Sequence, residues 1–361
     1  MPCRRVWFSV FLQMYLGFYS FYKHYNRNRM LEDPTGPIGD DIMYGFYFAG
    51  QRLRELGHKV ATLDMDDLEK FDAAVFFDHP TSLDPYFRKL RRMKGKKLYL
   101  FLFENAANRP DEYWRWNLKG FDKVFTWNPQ WVNGKKFFQF WYSMRVPAPF
   151  QINRAEKTKF CVTIASQKYN PHPRQLYTER VRAIRWFESN HPEELDLYGQ
   201  GWDRRYFTGG LARLNLLLLK IYPRFFPHSL LCRRFPSWKG AVPNKNAVMR
   251  QYRFALCYEN AKFPGYITEK IFDGFFAGCV PVYLGAPDVA DFIPARAFID
   301  MRNFKGYEEL YRYLKAMPEA EYESYLAAIE DFVRGERIKP FTGESFAGVM
   351  LQHIIQSGKT A

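Results

Sequence analysis

No two of the chain's five cysteines stand as a CxxC pair. They fall singly at Cys3, Cys161, Cys232, Cys257 and Cys279. An odd number at that spacing argues against a disulfide framework and a zinc site. No Asn-x-Ser/Thr sequence occurs. Both absences fit a reducing cytoplasm. Low-complexity tracts and short repeats are lacking as well. The apolar stretch at residues 6–22 contains Ser9, Gln13 and Ser20, and it is short of the roughly 20 apolar residues a membrane span needs. Acid is scarce: 38 Asp and Glu face 53 Lys and Arg, a formal net charge of +15. Such a chain favours anionic partners, whether nucleotides, acidic polymers or a membrane surface.

Apolar residues are plentiful, at 47% of 361 residues, and aromatics reach 19%. That is core enough for two ordinary domains and excludes a disordered chain. A strand at residues 6–12 is favoured over a signal anchor, because the elements that follow need a first strand before them. A helix at 44–57 stops at Gly57. Strands are expected at 58–64, 73–78, 98–105 and 123–127, with a basic helix ending at Gly95. Residues 145–157, with two prolines, read as a linker. Alternation then restarts: strand 160–166, helix 173–190, strands 195–199 and 254–259, helix 268–278 and strand 280–285. Strands alternating with helices imply parallel α/β sheets. The expectation is two similar halves, residues 1–150 and 151–330, facing a cleft, followed by a helical tail at 331–361.

One cation looks misplaced. Thr268 is a good N-cap, and Ile271, Phe272, Phe275 and Phe276 make an apolar helical face. Yet Lys270 sits in the first turn, where the helix dipole disfavours positive charge. An anion between the two would resolve the conflict, and a helix N-terminus beside a cation is a phosphate site. The same oddity recurs at the helix opened by Pro173: Arg174 follows at once, and Lys168 lies just upstream. Both helices follow strands, so both N-termini are expected at the carboxyl edge of one sheet, where open α/β sheets bind ligands. Two such sites suggest one ligand with more than one phosphate. Glu104 ends an apolar strand at the carboxyl edge of the first half. Position alone leaves it equally a cleft residue or a cap.

The stretch FALCYENAKFPGYITEKIFDGFFAGCVPVYLGAP resembles the donor-binding signature of the α1,3/1,4-fucosyltransferases, glycosyltransferase family 10. The resemblance is dense over residues 239–304, from WKG to FIDMRNF, and looser over SQKYNPHPRQ and LFLFENAANRP. It implies a GT-B architecture of two Rossmann-like domains: an acceptor-side domain first, then one that holds GDP-fucose. It implies inverting transfer to a glycan acceptor, with no cofactor or obligatory metal beyond the donor. By match, Arg174 and Lys270 contact the diphosphate, beside the N-cap Thr268. Tyr266, Glu259, Asn260 and Glu269 line the nucleotide and sugar pocket, with Glu269 touching sugar or ribose. Glu104 matches the family's proposed catalytic base. Surface polysaccharide or lipopolysaccharide synthesis, with the enzyme cytoplasmic or peripheral at the inner face of the membrane, is the setting this suggests.

Rival readings rest on smaller signals. LDMDD holds Asp64 and Asp66 at the spacing of the metal motif in the other, metal-dependent glycosyltransferase fold, GT-A. A strand end running into a cap explains it better. The basic run at 88–97 reads as a solvated helix face. Residues 211–235 mix Leu runs with Arg213, Lys220, Arg224, Arg233 and Arg234, and fit equally a core helix or a peripheral contact with anionic membrane. A basic nucleic-acid-binding protein is the other class, though no module signature for one is present and no nucleic-acid partner is expected. An inactive, lectin-like relative is disfavoured by retention of Glu104, Arg174 and Lys270.

Overall fold

The computed structural model describes residues 13–35, 41–202, 235–242 and 244–356. It contains two all-parallel sheets. The first has six strands in the order β2-β1-β3-β4-β5-β6: β1 (Tyr15–Ser20), β2 (Lys59–Thr62), β3 (Ala73–Phe77), β4 (Lys97–Leu102), β5 (Lys123–Thr126) and β6 (Phe137–Gln139). The second has five in the order β11-β10-β9-β7-β8: β7 (Lys159–Ile164), β8 (Leu195–Tyr198), β9 (Tyr252–Tyr258), β10 (Val280–Leu284) and β11 (Ile299–Asp300). Each sheet starts from an inner strand, steps one place outward, then crosses to the other side. The order therefore reverses between β1 and β3 in one sheet and between β7 and β9 in the other. Such switch points leave a crevice at the carboxyl ends of the strands, where α/β proteins bind ligands.

The longer helices are α1 (Tyr44–Glu55), α2 (Pro85–Arg92), α3 (Tyr177–Asn190), α4 (Glu269–Phe276), α5 (Tyr307–Ala316), α6 (Glu319–Arg334) and α7 (Gly343–Met350). Inner strands such as β3 and β10 are buried along their whole length, as continuous apolar runs in doubly covered parallel sheets must be. The chain does not end where its second sheet does. Met144 N–H donates to Phe341 O at 2.7 Å, and α7 then packs on α1 in the first half. There Phe346 meets Phe46 with ring centroids 5.2 Å apart.

The strand expected at residues 6–12 lies outside the described residues, and the first strand among the described residues is Tyr15–Ser20. It is a central strand between β2 and β3, and both its faces must be covered. Leu16 and Phe18 are fully buried, and Gly17 leaves the space that the Leu63 side chain fills. The basic stretch at 211–235 lies almost wholly outside the described residues. Among the described residues no helix is long and apolar enough to cross a membrane.

Candidate active site

A cavity of about 410 Å³ lies between the halves. Its walls come from residues that follow strands: Tyr22 after β1, Asp78 after β3, Phe103 and Glu104 after β4, then Ser166 and Lys168 after β7, Gly199 and Gln200 after β8, and Asn260 after β9. The start of α4 adds Thr268, Glu269 and Lys270, and α3 adds Tyr177 and Arg180. Both switch-point crevices thus open into one space.

On the second-half wall, Lys270 is held in an ionic triad. Its Nζ lies 2.8 Å from Glu269 Oε1 and 3.6 Å from Glu259 Oε2, and it donates to Thr268 Oγ1 at 3.0 Å. Burial opposes the charge on Lys270, but Glu269 and Glu259 outweigh it and hold its pKa above the ordinary lysine value. Burial also opposes the charge on Glu269, yet Lys270 and then Lys245 hold it down at about 2. Glu259 is fully buried. Burial raises its pKa against the pull of Lys270, with help from Glu269. Its two oxygens take the N–H of Thr268 at 2.8 Å and the Thr268 hydroxyl at 2.6 Å. Thr268 is therefore the N-cap by backbone position, but its side chain serves Glu259 and caps nothing. Two carboxylates explain how a lysine is tolerated at this helix start. The same arrangement leaves a fixed cation beside the N-terminus of α4.

The helix expected from Pro173 begins later, at Tyr177. Residues 172–175 make a turn, and Gln175 bridges to Ala261. Arg174 is consequently exposed, outside the cavity wall, with its guanidinium 5.1 Å from the Phe263 ring. The cation that α3 brings to the cavity from its first turn is Arg180. It is 5% exposed, donates to Tyr258 O at 2.8 Å, and has its pKa lowered by burial. Lys168, just upstream, does line the cavity. Sequence spacing missed Arg180 because Pro173 looked like a first helical residue.

On the first-half wall, Glu104 lines the cavity as the sequence suggested. Its Oε2 accepts from Asn108 Nδ2 at 2.8 Å. Asn108 Oδ1 is in turn held by Tyr177 Oη at 3.1 Å and Asn170 Nδ2 at 3.3 Å, both from the second half. The orientation of Glu104 thus depends on the two halves being docked. Tyr266 reaches across in the other direction: it is 2% exposed, packs edge-on against Trp127 at 4.8 Å, and shares the first-half core with Phe263. Gly265 makes this crossing feasible. Its φ is +73°, and a Cβ there would strike Trp127 O. Asp64 and Asp66 are engaged elsewhere. Asp64 accepts from Arg27 N–H at 3.0 Å, and Asp66 pairs with Lys70 at 2.6 Å. Among the described residues no three His, Cys, Asp or Glu gather as metal ligands.

Two facing parallel α/β sheets with one cleft between them define the class: a GT-B-like glycosyltransferase fold. The structure superposes on that of an α1,3-fucosyltransferase solved with GDP at a TM-score of 0.55, covering 98% of this chain and 94% of that one at 15% identity. This fold is not the GT-A fold of the alternative reading. Residues 218–337 match the family described as glycosyltransferase family 10 (fucosyltransferase), C-terminal part. An α-(1,3)-fucosyltransferase of Helicobacter pylori is 42% identical over 74 residues, which are 20% of this chain and 16% of that protein. A GDP-fucose protein O-fucosyltransferase 3 of Gallus gallus is 40% identical over 82 residues, 22% of this chain and 17% of that one. The matched stretches thus span about a sixth of these relatives' length.

Proposed function

We propose that this protein transfers fucose from GDP-fucose, with inversion, to a hydroxyl of a glycan acceptor in α1,3/1,4-type linkage. The observation that carries the reading is one cavity with a cationic helix start on one wall and a carboxylate, Glu104, on the other. Lys270 receives the diphosphate, assisted by the α4 N-terminus, Lys168 and Arg180. Arg174 joins them by swinging off the Phe263 ring. Asn260 and Tyr266 flank the sugar, and Glu269 holds a sugar or ribose hydroxyl.

Inverting transfer is a single displacement. The acceptor oxygen forms its bond to the fucose anomeric carbon as the bond to the β-phosphate oxygen breaks on the opposite face. Glu104 takes the acceptor proton, and the electron pair leaves on GDP. Charge gathers on that leaving group, where fixed cations and backbone N–H groups stabilise it more in the transition state than in the ground state. The oxocarbenium-like sugar is favoured by the nearby carboxylates. When donor phosphate enters, Lys270 exchanges part of its hold on Glu269 for phosphate oxygen. The basic stretch at 211–235 and the net charge of +15 support a peripheral position at the inner face of a membrane, where lipid-linked or lipopolysaccharide acceptors are met.

A panel of sugar nucleotides tests the donor. GDP-fucose and GDP should raise the melting temperature more than UDP or ADP sugars do. Ligand at 100 times its dissociation constant contributes about 2.7 kcal/mol. Equal shifts from all nucleotides would contradict the guanine assignment. Transfer should persist in EDTA, and loss restored by Mn²⁺ would show that a metal shares the phosphate.

A further inference from the structure

We propose that Asp78 is a positioning residue of the transfer reaction, fixing the backbone that carries the Glu104 carboxylate. This deepens the proposed function and rests on Glu104 being the base.

Asp78 immediately follows β3, at the switch point of the first sheet. Glu259 immediately follows β9, the corresponding strand of the second. Both are carboxylates, both line the crevice walls or support them, and they are 1% and 0% exposed. Glu259 spends its oxygens on Thr268 and so sets the start of α4, where Lys270 stands. Asp78 does the equivalent for the first half. Its Oδ1 accepts from Phe103 N–H at 2.7 Å and Glu104 N–H at 3.2 Å, the two amides that place the Glu104 backbone. Asp78 also lines the cavity, unlike Glu259.

The backbone at Asp78 is left-handed, with φ of +58°, an uncommon state for a residue other than glycine. The surroundings enforce it. Asp78 N–H donates to Phe101 O at 2.9 Å. The next residue is clamped as well: His79 O accepts from Arg109 Nη2 at 2.9 Å, and His79 N–H donates to Glu112 Oε1 at 3.3 Å. Strain that is held this firmly, at a cavity wall, belongs to function more often than to packing.

The electrostatics agree. Burial, then the charge of Glu104, push the Asp78 pKa up to about 7, against the two amides and Arg109. Glu112, from the segment after β4, is itself raised by burial and by Asp78. Tyr22 and Tyr25 after β1, with Tyr113 and Tyr142, complete the titratable groups that face it. Their pKa values are all raised, so they stay neutral near pH 7. Once charged, Asp78 holds the two amides more tightly, so transfer should gain a step in rate as pH rises through about 7.

Asp78→Gly removes the carboxylate and keeps the left-handed backbone at no steric cost. Asp78→Asn keeps the Oδ1 acceptor and loses the charge. The Gly variant should bind GDP as the native protein does and transfer about 10²-fold more slowly, the order of loss for a misplaced reacting group. The Asn variant should recover much of that loss yet show no rate step near pH 7. In a Glu104→Gln background, Asp78→Gly should cost little more, because its effect passes through Glu104. Native transfer by the Gly variant, an unchanged pH step in the Asn variant, or full additivity in the double variant would each overturn the role of Asp78. Normal transfer by Glu104→Gln alone would instead remove the base itself. Should the Gly variant fail to fold, the pH step of the Asn variant still decides.

Discussion

At the scale of single residues, the proposed chemistry rests on three carboxylates and a lysine. Lys270 drew notice in the sequence because it contradicted the helix dipole, and the structure places it on the cavity wall, paired with Glu269 and Glu259. Glu104 was legible from its place at a strand end and from family likeness. Asp78, Arg180 and Asn108 were not. Asp78 reads as an ordinary strand terminus, and Arg180 lies four residues into a helix whose start was misplaced. Asn108 matters only through a contact made across the cleft. The pH behaviour of the two halves should differ in sign. The folded pKa of Glu269 is depressed to about 2, so its contribution to stability is present above its unfolded value near 4.5 and is lost as pH falls towards 2. Lys270→Ala should shrink that acid-side loss in a pH series of melting curves. Asp78 is the opposite case. Its folded pKa, about 7, lies above the ordinary 3.8, so its charge destabilises the fold as pH rises between those values. Asp78→Asn should therefore raise the melting temperature at pH 8 relative to native protein, and leave it nearly unchanged at pH 4. A variant equally stable at both would show that the Asp78 carboxyl is not strained by burial.

At the scale of elements, most inner strands and helices α1 and α4 were read from the sequence, whereas β1, β6, β11, α5 and α6 were not. Strands β3, β4, β9 and β10 are continuous apolar runs bounded by turns. Strands β6 and β11 have three and two residues, too few to show a period. Helix α3 starts at Tyr177 because Gln175 is bridged to Ala261 and Leu176 N–H donates to Asn260 O at 2.9 Å. That pairing with the loop after β9 is invisible in the local sequence. The same loop carries Gly265 into the first half. Gly265→Ala meets both a positive φ and the Trp127 carbonyl, so the loop must retract and take Tyr266 with it. Lower thermal stability, with GDP affinity and transfer both reduced, is the expected outcome. Native behaviour in all three would mean the crossing is dispensable. Helix α7 offers a separate test of the return to the first half. Phe346 is 2% exposed among Phe46, Phe101, Phe103 and Phe140. Phe346→Ala should cost about 3–5 kcal/mol in denaturant unfolding, and a loss below about 1 kcal/mol would place α7 outside the core.

At the scale of the whole molecule, the proposed reaction is divided between two sheets of the same winding. Alternation of strands and helices was enough to foresee two parallel α/β halves. The return of α7 was not foreseeable, since an amphipathic helix at the end of a chain does not announce which half it covers. In the proposed reaction the second half offers a donor wall of cations and the first a base, with Asn108 and Tyr266 tying each wall to the other side. The most direct test of that division is Glu104→Gln, assayed by calorimetry with GDP beside fucose transfer to acceptor. The substitution keeps the shape and removes only the base. GDP affinity should stay within a factor of about 2 while transfer falls on the order of 10²–10⁴-fold. Transfer at the native rate, or GDP affinity lost together with transfer, would contradict a base on one half acting on a donor held by the other.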